Sequence, residues 1–189
     1  MKGDPVVLSG APPARMVRAC VDLGQRVILV NRADDLPDVF HIAIDYEAAM
    51  QNAVQMFLRA GCRKIALVSR ASRTPSLQAR EDLFAHFLRA EGIEPQIWRG
   101  ASTTYQTGRE AMRALLVGLS PPDGVFFIND LMACGGIDTA RHEFGLTLPR
   151  DLCILGFDDI AQATWAGYDL TTFAQPYAEI ARAVVEGLA

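Results

Sequence analysis

Short runs of β-branched and other apolar residues alternate along this chain with longer amphipathic segments, and that rhythm points to an α/β fold in which parallel strands are joined by helical crossovers. Strands are expected over 5–9, 26–31, 39–45, 64–69, 95–99, 124–129 and 152–157, and helices over 12–23, 46–60, 76–91, 104–119, 131–144 and from Tyr177 to the end. Gly24, Gly61, Gly92 and Gly145 each follow a helical pattern, where the chain turns out of the helix through a left-handed conformation. Pro122, Pro149 and Pro176 mark entries into new elements. No repeat, low-complexity segment or obvious flexible linker interrupts the alternation.

The 189 residues, half of them hydrophobic, suffice for a full core in one large domain or two smaller lobes. The four cysteines, Cys20, Cys62, Cys134 and Cys153, lie far apart in apolar surroundings without CxxC or Cys/His ligand spacing, so they are expected to pack as small hydrophobes. Neither a disulfide, a structural metal nor a cofactor is expected. No run approaches the roughly 18 apolar residues of a membrane span, and the opening apolar run is too short for a signal peptide, so a reducing cytoplasm is the expected compartment. The formal net charge is −4 and the basic residues are scattered. A surface that neutralises nucleic-acid phosphates is therefore not expected in this chain by itself.

In open parallel sheets ligands bind beyond the carboxyl ends of the strands, where helix N-termini and loop backbone converge. Those ends carry Ser9 and Gly10, Asn31 and Arg32, Asp45, Ser69 and Arg70, residues 100–103, Asn129 and Asp130, and Asp158 and Asp159. Carboxylates that accept from neighbouring hydroxyls, amides that both donate and accept, and a forked guanidinium suit a polyhydroxylated molecule. Nucleotides fit less well, because no GxGxxG or GxxxxGK[ST] follows a strand. Structural roles compete at each position. Asp130 precedes a helix and reads as an N-cap or as a ligand contact. One of Asp158 and Asp159 is expected at the ligand and the other in the turn. Arg80 either contacts ligand or solvates its helix face. Trp98 and Trp165 are core residues or stacking platforms, Trp165 being the better platform. No catalytic residue is expected: His41, His86 and His142 fall in a strand, a mid-helix and a helix end, and form no Ser/His/Asp set. An enzyme would have to use Asp158 or Asp130 as its base.

Five ordered stretches, residues 30–32, 45 with 61–66, 127–133, 149–159 and 170–176, resemble motifs of LacI/GalR-type transcription regulators. The strand end Phe127-Ile128-Asn129-Asp130-Leu131-Met132-Ala133 is similar to their strand followed by Asn-Asp-x-Met-Ala. Pro149-Arg150-Asp151, an apolar strand and then Gly156-Phe157-Asp158-Asp159 resemble their P-x-D to G-F-D-D segment. Leu170-Thr171-Thr172 with Gln175-Pro176 resembles the L-T-T-x-x-Q crossover, and Val30-Asn31-Arg32 the V-N-R strand end. Asp45 with Gly61-Cys62-Arg63-Lys64-Ile65-Ala66 is similar to D, helix, G-H-R-x-I-A, with Cys62 in place of the usual His. Departures are Leu83-Phe84 where the family has Gly and an aromatic, and Asp169 where it has proline.

The resemblance implies a two-lobed, type I periplasmic-binding-protein-like fold with parallel sheets flanked by helices. Residues 1–60 with 175–189 would form a first lobe that is incomplete, and 61–174 the second, with an effector held between them. It implies effector contacts from Arg80, Asn129, Asp158 and Gln175, and secondarily from Asp45 and Thr103. It further implies a sugar or related metabolite as effector, a homodimer, operator DNA contacted only through a helix-turn-helix that this chain lacks, and no membrane partner. An exported sugar-binding transport protein of the same architecture is the alternative, and a sugar-processing enzyme a more distant one.

Overall fold

A computed structural model of the chain describes residues 4–9, 12–31, 39–72 and 74–188. Gly10 and Arg32, two of the strand-end groups named above, lie outside the described residues. The order of elements is β1 (Val6–Ser9), α1 (Ala14–Asp22), β2 (Val27–Val30), β3 (Val39–Ile42), α2 (Glu47–Arg59), β4 (Ile65–Arg70), α3 (Pro75–Ala90), β5 (Gln96–Gly100), α4 (Tyr105–Leu116), β6 (Gly124–Phe127), α5 (Asp130–His142), β7 (Cys153–Leu155), a 3-10 turn at Ala161–Thr164, and α6 (Tyr177–Leu188). Every expected strand and helix is present, in the expected α/β alternation. The strands are shorter than their apolar runs suggest. β2, for example, stops where Asn31 takes a φ of +60°.

The chain divides into two compact units, Met1–Asp45 with Thr74–Ser76 and Pro176–Ala189, and Tyr46–Arg73 with Leu77–Gln175. In the first, three parallel strands run in the order β1-β2-β3. The middle strand is apolar throughout because both of its faces are covered. Val27 and Leu29 pack with Val17 and Cys20 of α1, whereas Ile28 and Val30 pack with Ile180, Ala183, Val184 and Leu188 of α6.

In the second unit four parallel strands run in the order β5-β4-β6-β7. Side chains alternate across β6 as the pleat requires. Phe126 stacks on Phe84 of α3 at 4.7 Å, and Phe84 in turn meets Phe57 of α2 edge-on at 6.2 Å. That aromatic chain accounts for α2, assigned to the first lobe on the family resemblance, grouping here with the second unit. Leu83-Phe84, a departure from the family pattern, thus supplies a fully buried core ring. Asp169, the other departure, adopts a φ of +46°, which the ring of a proline forbids.

Helices α4 and α5 cross closely because Gly108 and Gly135 present bare backbone to each other's helix. A Cβ on Gly108 would collide with the carbonyl of Met132, and one on Gly135 with the carbonyl of Tyr105. Since the obstacle is backbone and not a flexible side chain, the helices themselves would have to separate. Gly108→Ala is therefore expected to cost about 1–3 kcal/mol, read as a lower urea midpoint at unchanged slope. A midpoint equal to that of the parent would show that the crossing tolerates a wider spacing.

Candidate functional site

Helix α3 buries Leu77, Arg80, Glu81, Phe84, Ala85 and Leu88, so two ionisable side chains lie on its core-facing stripe. A charge there has to be compensated. Glu81 is paired with Arg99 of β5, whose Nε donates to its Oε1 at 3.1 Å. Arg80, only 4% exposed, donates from Nη1 to the Ile128 carbonyl at 2.9 Å and lies 3.6 Å from Oδ1 of Asp158. Its guanidinium carbon sits 4.3 Å from the centre of the Phe157 ring and 5.4 Å from that of Tyr46. Both rings present π-density to the cation. The solvated-face alternative for Arg80 is thereby removed.

Asp158 follows the end of β7 and, like Asp159, has positive φ, +114° and +54° respectively. Such conformations are costly for residues with a side chain, and the crossover beside them provides the restraint. The backbone N–H of Asp158 donates to the Phe173 carbonyl at 2.8 Å, and Gln175 Nε2 donates to Asp158 Oδ1 at 2.8 Å. Phe157 and Phe173 stack at 6.2 Å. Burial pushes the Asp158 carboxyl above its ordinary range, against the opposing pull of the Gln175 hydrogen bond and the Arg80 charge. The outer oxygen of Asp158 accepts no hydrogen bond among the described residues. Gln175 Oε1 is buried and likewise without a partner there.

Asn129 caps α5. Its Oδ1 accepts from the Met132 N–H at 3.0 Å, while its Nδ2 donates to the carbonyl of Thr103 at 3.1 Å, so Thr103 enters through its backbone. The cap expected of Asp130 is thus supplied one residue earlier, because Asn129 has the extended backbone a cap requires. Asp130 occupies the first turn of α5, fully buried, and binds two other segments. Its Oδ1 accepts from the Thr172 hydroxyl at 2.5 Å, its Oδ2 from the Ile160 N–H at 3.0 Å, and its own N–H donates to the Phe157 carbonyl at 2.8 Å. Burial raises its proton affinity and the Thr172 and Ile160 hydrogen bonds oppose the rise. Asp130 is a clasp that shapes the loop carrying Asp158.

Arg80, Asn129, Asp158, Gln175 and the Thr103 backbone are therefore linked within the second unit. Asp45 belongs to the first unit. Two contributors were not singled out from the sequence. Phe157 and Tyr46 read as apolar strand and helix-start residues, and only the tertiary structure brings them to Arg80. Ser69, at the end of β4, has a fully buried hydroxyl with no partner among the described residues. It follows Val68, whose carbonyl accepts from the Ile128 N–H at 2.9 Å, so it stands beside the strand end that delivers Asn129. Its place on a strand end was its signal. Trp165 is 56% exposed and stacks on Tyr168 at 6.5 Å, and Tyr168 bonds Asp138 of α5. His86 packs edge-on to Phe87, and His142 lies 3.8 Å from Asp138. Carboxylate and amide acceptors, an amide donor and a lone hydroxyl beside aromatic faces can exchange hydrogen bonds with a guest rich in hydroxyls.

Residues 54–189 match the family described as periplasmic binding protein-like domain, and the chain belongs to that family. It is 35% identical over 150 residues to the HTH-type transcriptional repressor CytR of Escherichia coli strain K12, a match covering 78% of this chain and 43% of that protein. It is 29% identical over 185 residues to the HTH-type transcriptional regulator GalS of Salmonella typhimurium, covering 96% and 54%. The chain thus spans about half the length of these curated relatives. Among solved structures it resembles a LacI transcriptional regulator from a Rhodococcus species at 27% identity and a TM-score of 0.87, over 97% of this chain and 68% of that one. It also resembles a LacI family transcriptional regulator from Lactobacillus casei with bound sucrose, at 27% identity and a TM-score of 0.84, over 98% and 70%. The fold expected from the motifs is the fold observed, and the relatives are regulators. No described helix is long and apolar enough to cross a membrane.

Removing the buried Asp130 carboxylate leaves the part-buried Ile160 N–H and Thr172 hydroxyl without their acceptor. Asp130→Ala should destabilise the protein by about 2–4 kcal/mol, whereas Asp130→Asn, which retains an acceptor, should cost less. Both Asp130 and Asp158 are pushed upward, so in the pH range above the ordinary carboxylate value the folded chain holds protons that the unfolded chain has released. Their effect on stability is accordingly most favourable at low pH and is lost as pH rises through the folded-state values. Urea midpoints measured against pH should show a shallower fall for Asp130→Asn than for the parent. An identical slope would place the proton uptake elsewhere.

Proposed function

We propose that this chain is the effector-binding part of a LacI-type transcription regulator and that Arg80, Asn129, Asp158 and Gln175 hold a sugar or similar hydroxyl-rich metabolite, with Asp45 and Thr103 as secondary contacts. One observation carries the assignment: Asp158 Oδ1 is fixed by Gln175 and Arg80 while its outer oxygen accepts nothing among the described residues. A carboxylate anchored through one oxygen presents the other to a hydroxyl pair. Support also comes from the relatives, which are named as transcriptional repressors and regulators, and from the bound sucrose and bound glucose in two structures of the Lactobacillus casei regulator.

The site would act by binding. The effector prefers one conformation of the regulator, and that preference shifts the equilibrium governing operator affinity. Operator DNA would be contacted through a helix-turn-helix elsewhere in a longer, homodimeric, cytoplasmic protein, since the basic residues of this chain are dispersed. No cofactor or metal takes part and no reaction follows.

A thermal-shift panel of sugars, polyols and nucleosides tests this, because a ligand that binds only the folded state raises the melting temperature by mass action. For the strongest hit, calorimetric titration should show affinity falling at least about tenfold in Arg80→Lys and in Asp158→Asn, in line with the loss of one charge-assisted hydrogen bond. Wild-type affinity in both variants would remove these residues from the site. Turnover of the hit by the purified protein would replace binding with catalysis.

A further inference from the structure

Cys62 and Cys153, far apart in sequence and expected to be isolated hydrophobes, meet at the base of the second sheet. Cys62 lies in the turn from α2 into β4, and its Sγ donates to the Asp123 carbonyl at 3.4 Å. That same carbonyl accepts the backbone N–H of Cys153 at 3.0 Å. Gly124 of β6 is the register partner of Cys153 on β7. A Cβ placed on Gly124 would lie 3.3 Å from the Cys62 sulfur, so the missing side chain leaves the space through which that sulfur reaches past β6. The two residues therefore share the Asp123 carbonyl, Cys62 through its thiol and Cys153 through its backbone N–H, while the Cys153 thiol donates to the Pro149 carbonyl at 3.5 Å. Cys62 is buried, while Cys153 is partly exposed and lines a surface cavity with Met56, Phe57, Ala60 and Pro149. One thiol is thus reachable by a small reagent and the other waits behind it.

We propose that Cys62 and Cys153 are a dithiol modification site that closes to an intramolecular disulfide on exchange with a small-molecule disulfide. The Cys153 thiolate attacks one sulfur of RSSR, forming a mixed disulfide and releasing RS⁻. Cys62, deprotonated, then attacks the Cys153 sulfur, forming the protein disulfide and expelling the second RS⁻. The two protein thiols lose two electrons and two protons, and RSSR gains them as two RSH. Burial, together with the neighbouring Cys153 and Asp123, pushes the Cys62 thiol up to about 12 against the opposing Arg63 charge. The second step is therefore slow at neutral pH and accelerates as pH rises, since the thiolate is the attacking species. The product ties the α2–β4 turn to the strand that leads into Phe157 and Asp158. Cys134, buried in α5 and raised by burial to about 11, and Cys20, in the other unit, serve as internal controls.

The test is incubation of the native protein with glutathione disulfide at pH 8.5, followed by acid quench, alkylation in denaturant and peptide mass mapping. The expected product joins the Cys62 and Cys153 peptides, leaves Cys134 alkylated, and melts at least about 5 °C higher until dithiothreitol reverses it. In Cys62→Ser the reaction should stop with glutathione on Cys153. Wild-type protein that also stops at that adduct, or a Cys153 linked to Cys20 or Cys134, would overturn the proposal, and both outcomes are read without relying on the variant.

Discussion

The candidate site depends on one buried cation. Arg80 sits on the core face of α3, where an uncompensated guanidinium would be prohibitively unfavourable, and its compensation comes from separate parts of the second unit. A carbonyl at the end of β6, a carboxylate beyond β7 and the face of Phe157 all converge on it. Every one of these groups needs its own segment correctly placed. A helix, two strand ends and a crossover are thereby held in one arrangement by the requirement that a single charge be satisfied.

Around that cation the polar groups divide into those that build and those with capacity to spare. Asp130 is consumed by the Ile160 N–H and the Thr172 hydroxyl, and Asn129 Oδ1 by the first turn of α5. Asp158, Gln175 and Ser69 retain acceptor or hydroxyl capacity without a described partner. Buried polar atoms are rarely left unsatisfied unless water or a ligand completes them. This division is why neighbouring aspartates in such similar sequence contexts have such different roles.

Much of this was legible in the sequence. The alternation of apolar runs and amphipathic segments established the parallel α/β architecture, because strands covered on both faces must be apolar throughout, as Val27 to Val30 are. The strand-end rule brought Asn129, Asp158 and Ser69 onto the candidate list. The family motifs added Arg80 and Gln175, which lie on a helix and a crossover where no strand-end rule applies. Ordering Asn129 and Asp130 was beyond the pattern, since either residue type caps a helix and the choice rests on which has extended backbone.

Sequence alone thus determined the class of fold, the order of its elements and most of the polar groups available to a guest, because periodicity and strand-end chemistry are local properties. Tertiary structure decided which of those groups stand together and which are already spent. Tyr46 and Phe157 became the aromatic faces of a buried arginine, and Cys62 met Cys153, only when segments distant in the chain were packed against one another. Such meetings are fixed by sheet order and side-chain direction, which no local window encodes.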